Sequence, residues 1–347
     1  MKKIKSIIIL TLVLAIGIVA SGCGERKPTL NVYNWGDYID KSVIKDFEEE
    51  YGMKVVYDTF ETNEDLYVKL KQGSSDYDVV IPSDYMIERM IREDMLVKLD
   101  KNNVPNLNKV DEQFLNLEFD SNNDYSIPYM WGTVGIIYNK TMVSDPVDSW
   151  DILWNKKYEN EIFMLNSQRD TIAVSLIRLG YSMNTRNESE LEEAKADLIK
   201  QKPLVRAYLG DEVKDAMVGE EAAMAVVWSG DAIAMIRQNP DLDYVIPKEG
   251  TNLWFDSMVI PKTTKNKEGA EKFIDFMSRP DISARNTDYI GYSTPIPEAV
   301  EMLPDDIKNS KVAYPSEAEI KNTEVFKDPL DIIKIYDRIW TEITAEQ

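Results

Sequence analysis

The pattern that most constrains this chain is the alternation of strand-like and helix-like segments along nearly its whole length. Runs rich in apolar and β-branched residues are followed by runs whose apolar residues recur at helical spacing. This order is typical of α/β proteins, so it predicts an α/β chain with mainly parallel sheets. The predicted strands are 30–33, 54–57, 78–81, 133–138, 162–165, 222–227, 244–246 and 257–260. The predicted helices are 42–51, 63–72, 84–93, 151–158, 170–179, 189–201, 208–218, 231–238, 266–277 (ended by Pro280) and 329–347.

The length of 347 residues is enough for two lobes that each bury a core. The chain shows no internal repeat, and no linker isolates a third domain. We therefore expect two discontinuous lobes, with crossings near Gly132 and within 292–297.

The first 22 residues have the composition of a secretory signal peptide. Three lysines precede an apolar stretch from Ile7 to Ala20, and small residues follow it. This stretch has 14 residues, whereas a membrane-spanning helix needs about 20. The pattern therefore predicts a cleaved signal over residues 1–22 rather than a transmembrane anchor.

Cys23 is the only cysteine in the sequence, so no disulfide is possible within the chain. It stands at the expected cleavage point, and Ala20-Ser21-Gly22-Cys23 resembles a bacterial lipobox, whose cysteine becomes the lipidated first residue. Residues 23–28 would form a short tether. Since one acyl chain anchors only marginally, more than one is expected. The chain is therefore predicted to be a lipoprotein on the outer face of the cell membrane or in the periplasm.

The chain is strongly acidic, with a formal net charge of −21. Loss of residues 1–22 would remove three lysines and no acids, which gives −21 − 3 = −24. Such a charge opposes binding to nucleic acid. It attracts small cations only weakly, because salt screens exposed charges within about 8 Å.

The absence of histidine excludes several classes of function. Without histidine there is no Ser-His-Asp catalysis and no His-ligated zinc site. With Cys23 acylated there is no thiolate metal site either. We therefore expect a protein that is not an enzyme and has no catalytic residues, metal or cofactor.

Three turns combine aromatic residues with an aspartate beside a predicted buried strand. They are Trp35-Gly36-Asp37-Tyr38, Trp228-Ser229-Gly230-Asp231 and Trp254-Phe255-Asp256. A fourth acid, Asp170, follows a strand beside Arg169. Ligands of open α/β sheets bind beyond the carboxyl ends of the strands, where most of these motifs fall. Carboxylates and ring faces suit a flexible organic cation, whose charge also relieves the repulsion between the acids.

Each of these residues also has an ordinary structural explanation. Asp37 and Asp231 each precede a predicted helix, and Asp170 heads one, so each is a candidate N-cap. A single tryptophan after a strand is more often packing than a ligand contact. Gly36 and Gly230 are predicted to let a ligand approach the backbone.

Across nearly all of the predicted mature chain, ordered motifs resemble the spermidine/putrescine-binding proteins of polyamine ABC transporters. The motifs are Val32-Tyr33-Asn34-Trp35, Asn123-Asp124-Tyr125-Ser126-Ile127-Pro128-Tyr129, Pro247-Lys248-Glu249-Gly250, Trp254-Phe255-Asp256-Ser257, Lys265-Asn266-Lys267-Glu268-Gly269-Ala270 and Ile290-Gly291-Tyr292-Ser293-Thr294-Pro295. The resemblance implies a two-lobed, periplasmic-binding-protein-like (type II) fold with a hinged cleft. We expect lobe 1 to comprise residues 29–129 and 257–297, and lobe 2 residues 130–256 and 298–347.

The resemblance also implies roles for individual residues. Aromatic walls would come from Trp35, Tyr38, Trp228 and Trp254. Acids for the amines would be Asp37, Asp170 and Asp256, and polar contacts would come from Ser83, Tyr85 and Tyr292. Asp231 resembles the acid of the putrescine-binding branch.

Two departures concern the choice of polyamine. Ser167 stands where spermidine-binding relatives can carry a second acid, and Phe326 stands where some carry an amide. The region of Tyr292 favours spermidine, so the prediction is a receptor for spermidine, or else putrescine, that delivers it to a permease. The alternatives are a secreted carboxylate-based hydrolase and a binding protein for another small ligand. An amino-acid ligand would need a cleft arginine, for which Arg169 is the candidate.

Overall fold

The computed structural model describes residues 27–73 and 76–345. The strands are β1 (Thr29–Trp35), β2 (Lys54–Phe60), β3 (Val79–Val80), β4 (Ser126–Asn139), β5 (Ile162–Leu165), β6 (Val205–Leu209), β7 (Met224–Trp228), β8 (Leu242–Val245) and β9 (Leu253–Val259). The helices are α1 (Lys41–Tyr51), α2 (Asn63–Lys71), α3 (Asp84–Arg92), α4 (Gln168–Arg178), α5 (Glu188–Gln201), α6 (Val213–Val218), α7 (Ser229–Gln238), α8 (Lys267–Met277), α9 (Pro280–Ile290), α10 (Pro297–Val300), α11 (Asp305–Lys308) and α12 (Ile333–Ala345). Short 3₁₀ turns are Lys101–Asn103, Pro105–Lys109, Glu112–Phe114, Glu118–Asp120, Trp150–Trp154, Lys156–Tyr158, Lys202–Leu204 and Leu330–Ile332.

Within the described residues, nine strands form one sheet in the order β2-β1-β3-β9-β4-β7-β5-β6, and β8 also pairs with β4. β1 is parallel to β2 and β3, and β5 is parallel to β6 and β7. β4 is antiparallel to β7, β8 and β9, and β3 is antiparallel to β9. The prediction of mainly parallel sheets is therefore wrong, and the sheet is mixed. Strand–helix alternation indicates parallel crossovers, but it does not reveal the direction of a strand reached through an irregular segment such as 93–125.

β4 joins the two parallel groups of strands. Its residues Ser126–Thr133 pair with β9, and Val134–Tyr138 pair with β7. All but one of its 14 residues are buried. The expected lobe boundaries at 129/130 and 256/257 fall inside β4 and β9, where the chain passes between the two groups.

The core beside β1 combines residues from distant parts of the chain. Phe47 in α1 is fully buried, and its ring packs on Phe273 and Phe276 of α8 with centroid distances of 5.1 and 5.5 Å. α1 begins at the Asp40 cap and ends at Gly52, whose φ of 64° permits the left-handed turn. Residues near position 275 therefore cover part of the apolar face of α1.

Several predictions differ from the structure, and three of the differences are changes in the type or the position of a helix. The predicted helix 208–218 is instead the end of β6 followed by α6, because residues 205–209 pair with β5. The predicted helix 151–158 is two 3₁₀ turns. Pro280 does not only follow α8: it is the first residue of α9, a position that suits proline because its missing N–H would be unpaired there anyway.

No helix within 27–73 and 76–345 is both long enough and apolar enough to cross a membrane. The predicted signal peptide and Cys23 lie outside the described residues.

Candidate functional site

The acid-aromatic motifs meet around β9. Asp37 and Tyr38 follow β1, and Ser83 precedes α3. Trp254 and Asp256 lie within β9 rather than in a turn before it, opposite Gly132 and Met130 of β4. The predicted strand 257–260 therefore begins four residues earlier than expected, at residue 253.

Asp256 is the centre of the cluster. Its Oδ2 accepts a 2.7 Å hydrogen bond from the Tyr38 hydroxyl, and its backbone bridges to Ser83. Asp256 is 5% exposed, and its Oδ1 is buried with no hydrogen-bond partner among the described residues. Burial raises the pKa of Asp256 to about 6, although Ser83 and Tyr38 favour the charged form. A buried carboxylate with one unpaired oxygen is destabilising until a donor or cation meets it.

Aromatic rings enclose this carboxyl. The ring of Tyr292 meets those of Tyr38 and Trp254 edge-on, at centroid distances of 5.4 and 5.2 Å. Tyr129 packs on Tyr38 at 5.4 Å and donates to the Tyr38 carbonyl oxygen over 2.7 Å. These contacts hold Tyr38 in place beside Asp256.

Asp231 lies on the other side of Tyr292. It is 5% exposed and sits in the first turn of α7, so it is not the N-cap of that helix. Burial raises the pKa of Asp231 to about 6, while Lys214 and Tyr292 stabilise its charged form. The space beside Gly230 is taken by the ring of Tyr292, which lies 2.3 Å from the position of an added Cβ. Gly230 therefore admits Tyr292, and the expectation that it admits a ligand to the backbone is wrong.

Asp37 lies at the rim of the cluster. Its side chain is 74% exposed, and its Oδ2 lies 3.2 Å from the Lys214 ammonium. The N-cap of α1 is Asp40, so the alternative explanation of Asp37 as a cap is wrong. The neighbouring Gly36 faces Asp211, whose Oδ2 would be 3.0 Å from an added Cβ.

Asp170 is buried in the first turn of α4, where Ser167 is the N-cap. Ser167 donates to Asp170 Oδ2 over 2.7 Å, and Asn252 donates to Oδ1 over 3.1 Å. Burial raises the pKa of Asp170, and the Ser167, Asn252 and Trp228 side chains favour its charged form. Asp170 and Asp256 are close enough for each charge to oppose the other.

Tyr85 and Arg169 form a separate group next to Asp170. The Tyr85 hydroxyl donates to Glu64 over 3.1 Å, so its only donor is already used. The Arg169 guanidinium lies over the rings of Tyr85, Phe326 and Tyr336 at 5.0, 4.4 and 4.9 Å. It is 3% exposed and donates to a backbone carbonyl, so it does not offer an open fork to a carboxylate ligand.

Trp35 is half-buried and packs on Phe60 at 4.5 Å. Its Nε1 is buried without a partner among the described residues. Most predicted site residues thus contact one another directly or contact a common neighbour. Trp35 and Tyr85 instead make their main contacts with residues outside this group. The joined residues are Asp37, Tyr38, Ser83, Asp170, Trp228, Asp231, Trp254, Asp256 and Tyr292.

Three residues of the cluster were not anticipated from the sequence. Tyr129 supports Tyr38, Asn252 donates to Asp170, and Lys214 lies among acids. Tyr129 stands at the end of a motif used for the family resemblance, which is the one signal that pointed to it. The Asp170 partner of Asn252 and the Asp37 partner of Lys214 are distant in the sequence, so no local pattern marks these pairs.

The arrangement suits recognition of an organic cation. Within 27–73 and 76–345 there is no group of three or more acidic or thiol side chains placed to hold a metal ion. Buried carboxyls instead alternate with aromatic rings, which bind ammonium groups and pack on methylenes.

Comparisons with known proteins identify the family of the chain. The family of bacterial extracellular solute-binding proteins matches residues 42–315. The spermidine/putrescine-binding periplasmic protein of Escherichia coli K12 is 38% identical over 335 residues, which cover 96% of each chain. A solved putative spermidine/putrescine ABC transporter protein from Listeria monocytogenes is 44% identical, with a TM-score of 0.90 over 92% of this chain and 100% of that one. The Tp0655 lipoprotein of Treponema pallidum is 30% identical, with a TM-score of 0.83 over 91% and 99%.

These similarities confirm the resemblance to binding proteins of polyamine ABC transporters and the periplasmic-binding-protein fold, with the sheet mixed rather than mainly parallel. They also confirm that the chain is a binding protein, which overturns the hydrolase alternative. The chain belongs to the bacterial extracellular solute-binding protein family.

Proposed function

We propose that this chain is the substrate-binding subunit of an ABC importer and that it captures a polyamine, spermidine or putrescine, outside the cytoplasm. It then delivers the polyamine to the permease. Spermidine is the favoured ligand on the residues around Tyr292, with putrescine as the alternative.

The observation that carries this proposal is the buried carboxyl of Asp256. One oxygen is held by Tyr38, the other has no partner among the described residues, and the rings of Trp254 and Tyr292 stand beside it. An ammonium group would pair with the second oxygen and balance its charge, while the rings attract the cation. The name of the Escherichia coli relative supports the same class of ligand.

The proposed contacts divide by chemistry. Carboxyls receive the amines, aromatic rings pack on the methylenes, and hydroxyls complete the polar contacts. The set is Trp35, Asp37, Tyr38, Ser83, Tyr85, Asp170, Trp228, Asp231, Trp254, Asp256 and Tyr292. The two lobes, 29–129 with 257–297 and 130–256 with 298–347, would close on the ligand by bending where β4 and β9 pass between them.

Isothermal titration calorimetry of the mature protein tests this proposal. Putrescine, cadaverine, spermidine and spermine are titrated separately, with glutamate as an anionic control. We expect heat with spermidine or putrescine, a lower Kd for spermidine, and no heat with glutamate. At 100 times Kd the ligand should add about 2.7 kcal/mol of stability, visible as a raised Tm. Heat with glutamate alone, and none with any polyamine, contradicts the proposal.

We also propose that Cys23 carries the lipid that holds the protein at the membrane. The Treponema pallidum relative, described as a lipoprotein, supports this. Expression of the full chain followed by detergent phase partitioning tests it. Wild type should enter the detergent phase, and Cys23→Ala should remain in the aqueous phase. Equal partitioning of the two would contradict lipidation at Cys23.

The permease partner is tested by transport. Deletion of this chain should abolish high-affinity uptake of labelled polyamine, and plasmid-borne wild type should restore it. If the Asp256→Asn variant restored uptake to the wild-type level, Asp256 would not be needed for transport, which would contradict the proposed site.

A further inference from the structure

Lys214 places the protein's own ammonium group among the acids of the cluster. It lies in α6, and its side chain is only 18% exposed. Its Nζ lies 3.2 Å from Asp37, 3.2 Å from Asp211 and 3.9 Å from Asp231. These three acids come from the loop after β1, the loop after β6 and the first turn of α7.

Lys214 is charged in this position. Burial alone would lower the pKa of Lys214, but the carboxylates of Asp231, Asp211 and Asp37 raise it above its ordinary value. An uncharged lysine would leave the buried Asp231 without a cation, which is unfavourable in a poorly solvated place.

The position of Lys214 conflicts with an added amine at the same acids. A ligand ammonium bound to Asp231 would stand close to the Lys214 ammonium, and like charges repel strongly where solvent is partly excluded. Asp256 and Asp170 are not among the acids that pair with Lys214 in the described residues. The carboxyl of each lies near the aromatic rings.

We infer that Lys214 is a specificity-determining residue that occupies an amine position beside Asp231 and lowers the affinity for a triamine relative to a diamine. This inference rests on the proposed polyamine function. In this proposal a diamine places its two ammonium groups at Asp256 and Asp170, and not at Asp231 as in the putrescine-binding branch that Asp231 resembles, because Lys214 already lies 3.9 Å from Asp231. The third ammonium of spermidine must approach Asp37 and Asp231, where the Lys214 ammonium already offsets one of the three negative charges of Asp37, Asp211 and Asp231.

The inference differs from a purely structural role for Lys214. The pair Lys214–Asp37 also links the two proposed lobes, so loss of the lysine would weaken the closed form. Such a link would affect every ligand to the same degree. If Lys214 occupies an amine position, its loss instead changes the ratio of the spermidine affinity to the putrescine affinity.

The test compares putrescine and spermidine titrations of wild type, Lys214→Met and Lys214→Arg. Lys214→Met retains the length of the stem without the charge, and Lys214→Arg keeps the charge. We expect Lys214→Met to improve the spermidine-to-putrescine affinity ratio by at least about fivefold, and Lys214→Arg to leave it within about twofold of wild type. Lys98→Met removes an exposed lysine paired with Asp124 and should leave both affinities unchanged.

Each other outcome overturns the inference. An unchanged ratio in Lys214→Met, with both polyamines still binding, refutes the role of Lys214 but leaves the proposed function intact. An equal loss of affinity for both polyamines shows that Lys214 only links the two lobes and does not determine specificity. Absence of binding of either polyamine to wild type refutes the proposed function and the inference together. Circular dichroism confirms folding, and Lys214→Gln replaces any variant that does not fold.

Discussion

The hydroxyl of Tyr38 donates to Asp256 over 2.7 Å, which joins two residues 218 positions apart in the sequence. Tyr38 follows β1, and Asp256 lies in β9. The bond leaves Asp256 Oδ1 buried without a partner among the described residues. It therefore fixes the orientation of the Asp256 carboxyl.

Asp256→Asn should weaken polyamine binding by more than tenfold, because a charge-assisted bond worth about 1.4 kcal/mol or more is lost. Asp37→Asn should cost less than about fivefold, because Asp37 is 74% exposed and already paired with Lys214. Calorimetric titration measures both values. Asp241→Asn, at an exposed position, is the control and should bind as wild type. A larger effect at Asp37 than at Asp256 would contradict this order.

The pH dependence of binding should follow Asp256 and Asp231, whose pKa values burial raises to about 6. A ligand ammonium needs the charged carboxylates, so affinity should fall as the pH is lowered from 7 to 5. Calorimetry near pH 6 in buffers of different ionisation enthalpy should show protons released on binding. A flat affinity between pH 7 and 5 would contradict this assignment.

The stability of the ligand-free protein should change with pH in the opposite sense. Because the folded state keeps protons on Asp256 and Asp231 up to about pH 6, it binds more protons than the unfolded state above about pH 4. The contribution of these groups to the free energy of unfolding should therefore fall as pH rises from about 4 to 6. Urea titrations of wild type and Asp256→Asn measure it. The variant should lose less stability over this interval than wild type, and an equal slope would contradict the raised pKa of Asp256.

Tyr38→Phe should lower the free energy of unfolding by about 1–3 kcal/mol, because it leaves Asp256 Oδ2 buried without its donor. The matched control is Tyr138→Phe, whose hydroxyl donates to Asp243 over 3.4 Å at an exposed place. The control should change stability by less than about 0.5 kcal/mol. Equal urea midpoints and slopes for the two variants would contradict the importance of the Tyr38 bond.

Gly230→Ala should impair both stability and binding, because the added methyl group would lie 2.3 Å from the Tyr292 ring. Displacing that ring disturbs its contacts with Tyr38 and Trp254. Gly210→Ala is the control, since its nearest neighbour would be the Glu212 side chain at an ordinary 3.5 Å. Thermal unfolding and calorimetry compare the two. A Gly230→Ala protein with wild-type Tm and Kd would contradict the close packing of Tyr292.

Much of the fold follows from local pattern. β5 has the predicted bounds, and α1 and α8 begin and end within one residue of prediction, because their apolar periodicity and end signals agree. β6 was missed because it is only partly buried and lacks a continuous apolar run. α9 was missed because Pro280 signals the end of one helix as readily as the start of another.

The cluster of acid and aromatic side chains was predictable where the two types lie within three residues of each other in the sequence, as at Asp231 and Asp256. The pairing of Lys214 with Asp37 was not, because 177 positions separate them. The sheet order brings these residues together, and local patterns do not determine that order.

The packing of Phe47 on Phe273 and Phe276 has a consequence for export. α1 lacks its contacts with Phe273 and Phe276 until the ribosome has made residue 276. During synthesis, the core beside β1 therefore remains incomplete. This delay favours translocation of the unfolded polypeptide through a secretion channel before it folds.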